Sequence, residues 1–79
     1  EEFTVENFSF YPNPTNNQIN FNNRYSFTTL NIYNVSGKLV STTSLTEGEN
    51  TVQTNLPSGV YFARFSNESA STVQKLVIK

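Results

Sequence analysis

Apolar and polar residues alternate along this chain with a period of two, and no window repeats apolar positions at helical spacing for long. The pattern predicts strands throughout and essentially no helix. Phe8 and Phe10 bracket Ser9 as a first short strand, which Tyr11-Pro12-Asn13-Pro14 must stop, because two prolines remove ladder donors and hold the preceding residues extended. A turn through Thr15 to Asn17 leads to a second strand, Ile19 and Phe21 alternating with Gln18 and Asn20, closed by Asn22-Asn23. Arg24 to Ser26 reads as loop.

The middle of the chain carries the clearest hairpin. Leu30 and Ile32 share one strand face and Asn31 and Tyr33 the other. Asn34-Val35-Ser36-Gly37 then turns the chain, since Gly37 tolerates the positive φ of a short connection and Asn34 can bond its own following backbone. Lys38 to Ser44 returns antiparallel. Thr46 to Asn50 reads as another turn, and Thr51-Val52-Gln53 as a short edge strand. Leu56-Pro57-Ser58-Gly59 leads tightly into the longest apolar strand. In it Tyr61, Ala63 and Phe65 face the core, because the opposite set, Val60, Phe62 and Arg64, ends in a charge. Asn67 to Ser71 turns back to a final strand. There Leu76 and Ile78 alternate with Lys75, Val77 and Lys79, so the carboxyl end is expected to be docked in a sheet. About seven short strands at such spacing predict an all-β, immunoglobulin-like antiparallel β-sandwich, with a small barrel as the alternative.

Composition narrows the picture. A chain of 79 residues is one domain, and at this size roughly 60–65% of the unfolded surface is buried. With no Cys and no His, neither a disulfide nor a thiolate or imidazole zinc site can supply folding energy, so seven Phe and four Tyr must. A net charge of −1 with five basic residues argues against nucleic-acid binding. No apolar run approaches the ~18 residues of a membrane span, so no direct membrane insertion is expected. The chain opens at Glu1 without a signal peptide and reads as a fragment of a longer precursor.

Catalytic chemistry is poorly supplied. His, Cys and Asp are all absent, so a hydroxyl nucleophile would depend on Lys38, Lys75 or a Glu. Glu47 and Glu49 share one turn and Glu1, Glu2 and Glu6 lie in a leading segment, an arrangement unlike paired carboxylates across a cleft. No enzyme, no cofactor and no metal is expected. Glu47 and Glu49 could hold weak calcium, but solvated turn charges explain them better. Asn34-Val35-Ser36 and Asn67-Glu68-Ser69 match the N-glycosylation pattern and read equally as turn residues.

Four signatures in order carry more information than any one alone: Tyr11 to Pro14, the Leu30 to Lys38 hairpin, Leu56 to Phe62, and Gln74 to Lys79. Together, over residues 8–79, they resemble the type A C-terminal sorting domain of the type IX (Por) secretion system of Bacteroidetes. The resemblance implies a non-catalytic secretion signal. It would direct a covalently fused N-terminal cargo through the outer-membrane translocon, by way of the periplasm, to the cell surface or the medium. A sortase-like protease removes such domains in many members and anchors the cargo. The partners implied are translocon and outer-membrane shuttle or sortase components, with the domain itself a monomer.

The resemblance maps recognition onto Tyr11, Pro12, Asn13, Pro14, Gly37, Lys38, Gly59, Val60, Tyr61, Lys75, Leu76, Val77, Ile78 and Lys79. Asn34 departs from the Asp that the family often carries before its Gly-Lys or Gly-Arg turn, although Asn makes the same local bonds. Residues 1–7 read either as a linker to cargo or as an extra edge strand. Lys75 and Lys79 are open to two readings, recognition or protection of a strand edge from mispairing. The competing function is a small carbohydrate-binding or adhesion module, for which Tyr11, Tyr25 and Tyr33 would be the stacking rings.

Overall fold

A computed structural model describes Phe10 and residues 16–79. It contains six strands and, among these residues, no helix: β1 (Gln18–Asn23), β2 (Thr29–Tyr33), β3 (Leu39–Ser44), β4 (Gly48–Gln53), β5 (Gly59–Ser66) and β6 (Ser71–Ile78). All pairing is antiparallel. β1 and β4 form one sheet, and β3-β2-β5-β6 form the other. The strand expected over Phe8 to Phe10, the stop at Tyr11 to Pro14 and residues 1–7 lie outside the described residues, Phe10 excepted, so six strands stand where about seven were expected.

The two sheets meet through the inward sets that the alternation picks out. Ile19, Phe21 and Val52 come from the two-stranded sheet; Leu30, Ile32, Tyr61, Ala63, Phe65, Leu76 and Ile78 come from the four-stranded one. Aromatic rings bridge the layers. Phe21 meets Phe65 edge-on at 5.1 Å between centroids and 74° between planes. Phe10 and Phe27 flank Phe65 at 5.8 and 6.2 Å. Such offset contacts suit ring quadrupoles, and burying each Phe contributes about 1.5–3 kcal/mol, which is how a chain without disulfides holds two layers together. No buried side-chain nitrogen or oxygen among the described residues lacks a partner.

Two local features depart from simple alternation. Between Ile32 and Tyr33 the β2–β3 register slips: Ile32 faces Ser41 while Tyr33 faces Leu39, leaving Val40 as a bulge. The extra residue lets Val40 pack against the core while Leu39 stays outside. The turn expected over Thr46 to Asn50 is shorter, because β4 begins at Gly48, where φ is +87°. Asn50 pairs with Phe21 through its backbone, yet its side chain serves the turn: Nδ2 donates to the carbonyls of Thr46 (2.7 Å) and Gly48 (3.1 Å). A turn-forming residue type can therefore sit in a strand and still stabilise the turn from there.

Asparagines do the same at both ends of the sandwich. Asn23 is buried; its Nδ2 donates to the carbonyls of Phe27 (2.8 Å) and Thr46 (2.6 Å), and its Oδ1 accepts from the Phe27 N–H (2.8 Å). Asn67 Oδ1 caps the β5–β6 turn by accepting from the N–H groups of Ser69 and Ala70, while its Nδ2 donates to the carbonyls of Tyr25 and Ser26. Three connections, β1–β2, β3–β4 and β5–β6, are thus tied together at one end. At the other end Asn17 Oδ1 accepts from the Thr54 hydroxyl and the Leu56 N–H, both at 2.7 Å.

Candidate recognition surface

At the end opposite the three tied connections, register brings separate stretches of sequence together. Tyr33, the last residue of β2, faces Phe62, so Gly59 to Tyr61 run on beside the β2–β3 turn. β6 follows, with Gly59 facing Ile78 and Val60 facing Val77. Gly37-Lys38, Gly59 to Tyr61 and Leu76 to Lys79, distant in sequence, therefore share one end of one sheet. Tyr11 to Pro14 lie outside the described residues.

Each piece has its local cause. Asn34 Oδ1 accepts from the N–H groups of Ser36 and Lys38 and from the Ser36 hydroxyl, all at 3.0 Å, while the Asn34 N–H donates to the Lys38 carbonyl at 2.9 Å. Gly37 closes that turn at φ +89°, a region costly to residues with a Cβ. Asn34 therefore makes the local turn bonds expected of it from sequence. The buried Tyr61 donates its hydroxyl to the Pro57 carbonyl at 2.7 Å, pinning the approach to β5. Gly59 sits against that ring at φ +157°, where a Cβ would meet the Tyr61 ring at 3.7 Å.

The expected recognition residues divide by burial. Tyr61, Leu76 and Ile78 belong to the core, so they can act only by positioning their neighbours. Gly37, Lys38, Val60, Lys75 and Lys79 are exposed, and Gly59 and Val77 half-buried. β6 carries the ladder as far as Ile78, which is 2% exposed, and Lys79 follows it outside the strand. The carboxyl-terminal strand is thus docked.

Sequence reading missed a contiguous outer row. Leu39, Tyr33, Phe62 and Lys75 are successive cross-strand partners across all four strands of the larger sheet. Arg64 lies in the next row, between Asn31 and Val73. The alternation had already put Phe62 and Arg64 outside; their alignment with Tyr33 and Leu39 follows only from strand order and register. The outer face of the smaller sheet is different in kind. Its cross-strand pairs are polar and bonded: Gln53 Nε2 to Gln18 Oε1 (2.9 Å), the Thr51 hydroxyl to Asn20 Oδ1 (2.8 Å) and Asn22 Nδ2 to Glu49 Oε2 (3.2 Å).

The other candidate chemistries gain no support from the arrangement. Tyr25 packs on Phe27 at 5.6 Å before β2 begins, whereas Tyr33 ends that strand, so these two rings form no common stacking platform. Glu47 accepts from the Ser26 hydroxyl and Glu49 from Asn22, each engaged away from the other. Among the described residues no group of three His, Cys, Asp or Glu side chains could hold a metal ion.

No curated protein matches the chain. The family model described as the secretion system C-terminal sorting domain matches residues 9–79, a span that takes in both sheets, the Asn34 turn and the docked last strand. A secretion signal of this kind is in general non-catalytic. With both sheets, the Asn34 turn and the docked last strand inside the matched span, the chain belongs to the family of type IX secretion C-terminal sorting domains, the tails of cargo proteins exported to the cell surface or secreted.

Proposed function

We propose that residues 8–79 act as a folded address label, read at the end of the larger sheet where Gly37-Lys38, Gly59 to Tyr61 and Lys75 to Lys79 gather. That convergence is the observation that carries the reading. Residues distant in sequence and joined only by folding form a label that the unfolded chain does not possess, so the translocon can distinguish a folded cargo tail from one in transit. Lys38, Val60, Lys75, Val77 and Lys79 make the contacts; Gly37, Gly59, Tyr61, Leu76 and Ile78 hold them in place. Tyr11, Pro12, Asn13 and Pro14 belong to the same label.

The domain has no catalytic role, needs no cofactor and works as a monomer without entering the membrane. Residues 1–7 join it to cargo, either as linker or as an added edge strand. A signal peptide upstream delivers the precursor to the periplasm, the outer-membrane translocon and its shuttle components take it across, and a sortase-like protease then removes the domain and anchors the cargo. The test is a fusion of residues 1–79 behind a periplasmic reporter in a Bacteroidetes host with a working type IX system. Reporter on the cell surface or in the medium is expected. Reporter retained inside cells that still export their own cargo would sink the proposal.

A further inference from the structure

The two outer faces of the sandwich are chemically unlike, and that contrast indicates which face meets a partner. The smaller sheet covers itself with paired amides and hydroxyls. The larger one exposes Leu39 (48%), Val60 (39%), Phe62 (40%) and Val73 (58%), with Tyr33 and Val77 half-buried beside them. These are neighbours and not scattered singles: Leu39, Tyr33 and Phe62 follow one another across three strands, Val60 faces Val77, and Val73 faces Arg64. Cross-strand partners stand about 4.5–5.5 Å apart, so the apolar surface is continuous, and contiguous exposed apolar patches on soluble domains mark contact sites.

Charge is distributed just as unevenly. Arg64 and Lys75 stand on this face, with Lys38 beside Leu39 and Lys79 beyond Ile78, which accounts for four of the five basic residues. The described carboxylates lie at the far end: Glu47 on the β3–β4 connection, Glu49 near the start of β4 and Glu68 in the β5–β6 turn. An apolar row flanked by cations, with none of the described Glu side chains beside it, selects against a second copy of itself, since like-charged side chains would meet face to face. A bilayer is also disfavoured, because chains that lie on a membrane surface do so as amphipathic helices that sink an apolar edge into the headgroups, whereas these rings lie along a flat sheet.

We infer that the outer face of the larger sheet docks a partner protein whose surface is apolar at its centre and rimmed by carboxylates. The inference rests on the sorting function proposed above and adds to it which face is read and by what chemistry. Four strands about 4.8 Å apart, the longest eight residues at ~3.3 Å each, make a face of about 500 Å². That falls short of the ~800 Å² per partner of a stable complex, so the contact is transient and electrostatically steered. A tail that must be captured and then released suits such a contact.

The test uses the reporter fusion with three altered tails: Phe62→Glu, the pair Lys38→Glu with Arg64→Glu, and Gln53→Glu on the opposite face as a control for the single charge that Phe62→Glu adds. Thermal unfolding of each purified domain reports folding separately from export. Phe62→Glu and the charge-reversed pair are expected to lower exported reporter at least about tenfold, the loss of a single interfacial anchor, while Gln53→Glu exports normally. Export of the folded Phe62→Glu and charge-reversed tails at the level of Gln53→Glu overturns the docking face and leaves the sorting function standing. Retention of the unaltered fusion overturns both. Should the unaltered domain sediment with phosphatidylglycerol vesicles at physiological salt and Phe62→Glu abolish this, the face belongs to a lipid surface and the protein-docking inference is wrong. If Phe62→Glu unfolds the domain, the charge-reversed pair, altered only at exposed positions, decides.

Discussion

Asn23 offers the sharpest test of how this domain holds itself together without disulfides. Its side chain is 1% exposed and makes three hydrogen bonds, two donated from Nδ2 and one accepted at Oδ1, joining the β1–β2 loop to the β3–β4 connection. Asn23→Ala leaves the buried Phe27 N–H without an acceptor, which costs about 1–3 kcal/mol, and removes two further bonds worth ~1 kcal/mol each. Part of this returns as the loop opens to water, so the expected loss is about 3 kcal/mol. A domain of this size has a total stability of only roughly 4–12 kcal/mol, so the effect is large, and it corresponds to a fall in Tm of about 12–24 °C. Urea unfolding followed by circular dichroism measures it as a lower midpoint at unchanged slope.

Asn23→Asp separates the donors from the acceptor. A carboxylate can still accept from the Phe27 N–H, but it turns an anionic oxygen toward two carbonyl oxygens. Burial and that repulsion raise the new carboxyl's pKa in the folded state above its unfolded value of about 3.9. With a raised folded pKa, the extra destabilisation is complete above that folded value and disappears as pH falls through it toward the unfolded one, where the protonated acid can donate one bond. At pH 7 Asn23→Asp should therefore be at least as damaging as Asn23→Ala. Its deficit relative to the unaltered domain should shrink on acidification. A loss below about 1 kcal/mol for Asn23→Ala, or a pH-independent deficit for Asn23→Asp, would refute the view that this amide clamps two connections together.

Three further outcomes follow from the packing and turns. Phe65, fully buried and in contact with three other rings, should lose about 3–5 kcal/mol as Phe65→Ala, whereas Phe62→Ala on the outer face of the same strand should change stability by less than ~1 kcal/mol; paired urea titrations decide this. Gly37→Ala meets no neighbour within 4 Å, so its expected loss of about 1–2 kcal/mol comes from φ +89° alone, and an unchanged Tm would show the turn to be unstrained. Tyr61→Phe keeps the ring and forfeits the bond to the Pro57 carbonyl, with an expected loss of about 0.5–1.5 kcal/mol by thermal unfolding.

Much of the architecture was readable because a strand alternates faces. Tyr61, Ala63 and Phe65 turned inward as the terminal charge of the opposite set implied, and the Asn34-to-Gly37 hairpin and the docked final strand appeared where expected. The Thr46–Asn50 turn was overextended because Asn50 is a turn residue by type and a strand residue by backbone. Asn23 looked like a strand terminator and proved to be a buried clamp, a role that depends on a carbonyl 23 residues away. The recognition surface was legible as separate signatures but not as a surface, since Leu39, Tyr33, Phe62 and Lys75 form a row only after three strand pairings are set.

The residues in order determined what is local: strand and turn positions, which side chains of each strand share a face, and a core that must be aromatic because nothing else is available to stabilise it. Tertiary structure decided what depends on partners far along the chain: the β3-β2-β5-β6 order, the bulge at Val40, the amide clamps, and the placing of one apolar, basic face opposite one polar, self-paired face. The reason is physical. A period of two specifies a side chain's direction from its immediate neighbours, whereas strand order and register are chosen by the packing of both layers at once, so a surface assembled from four strands exists only in the folded chain.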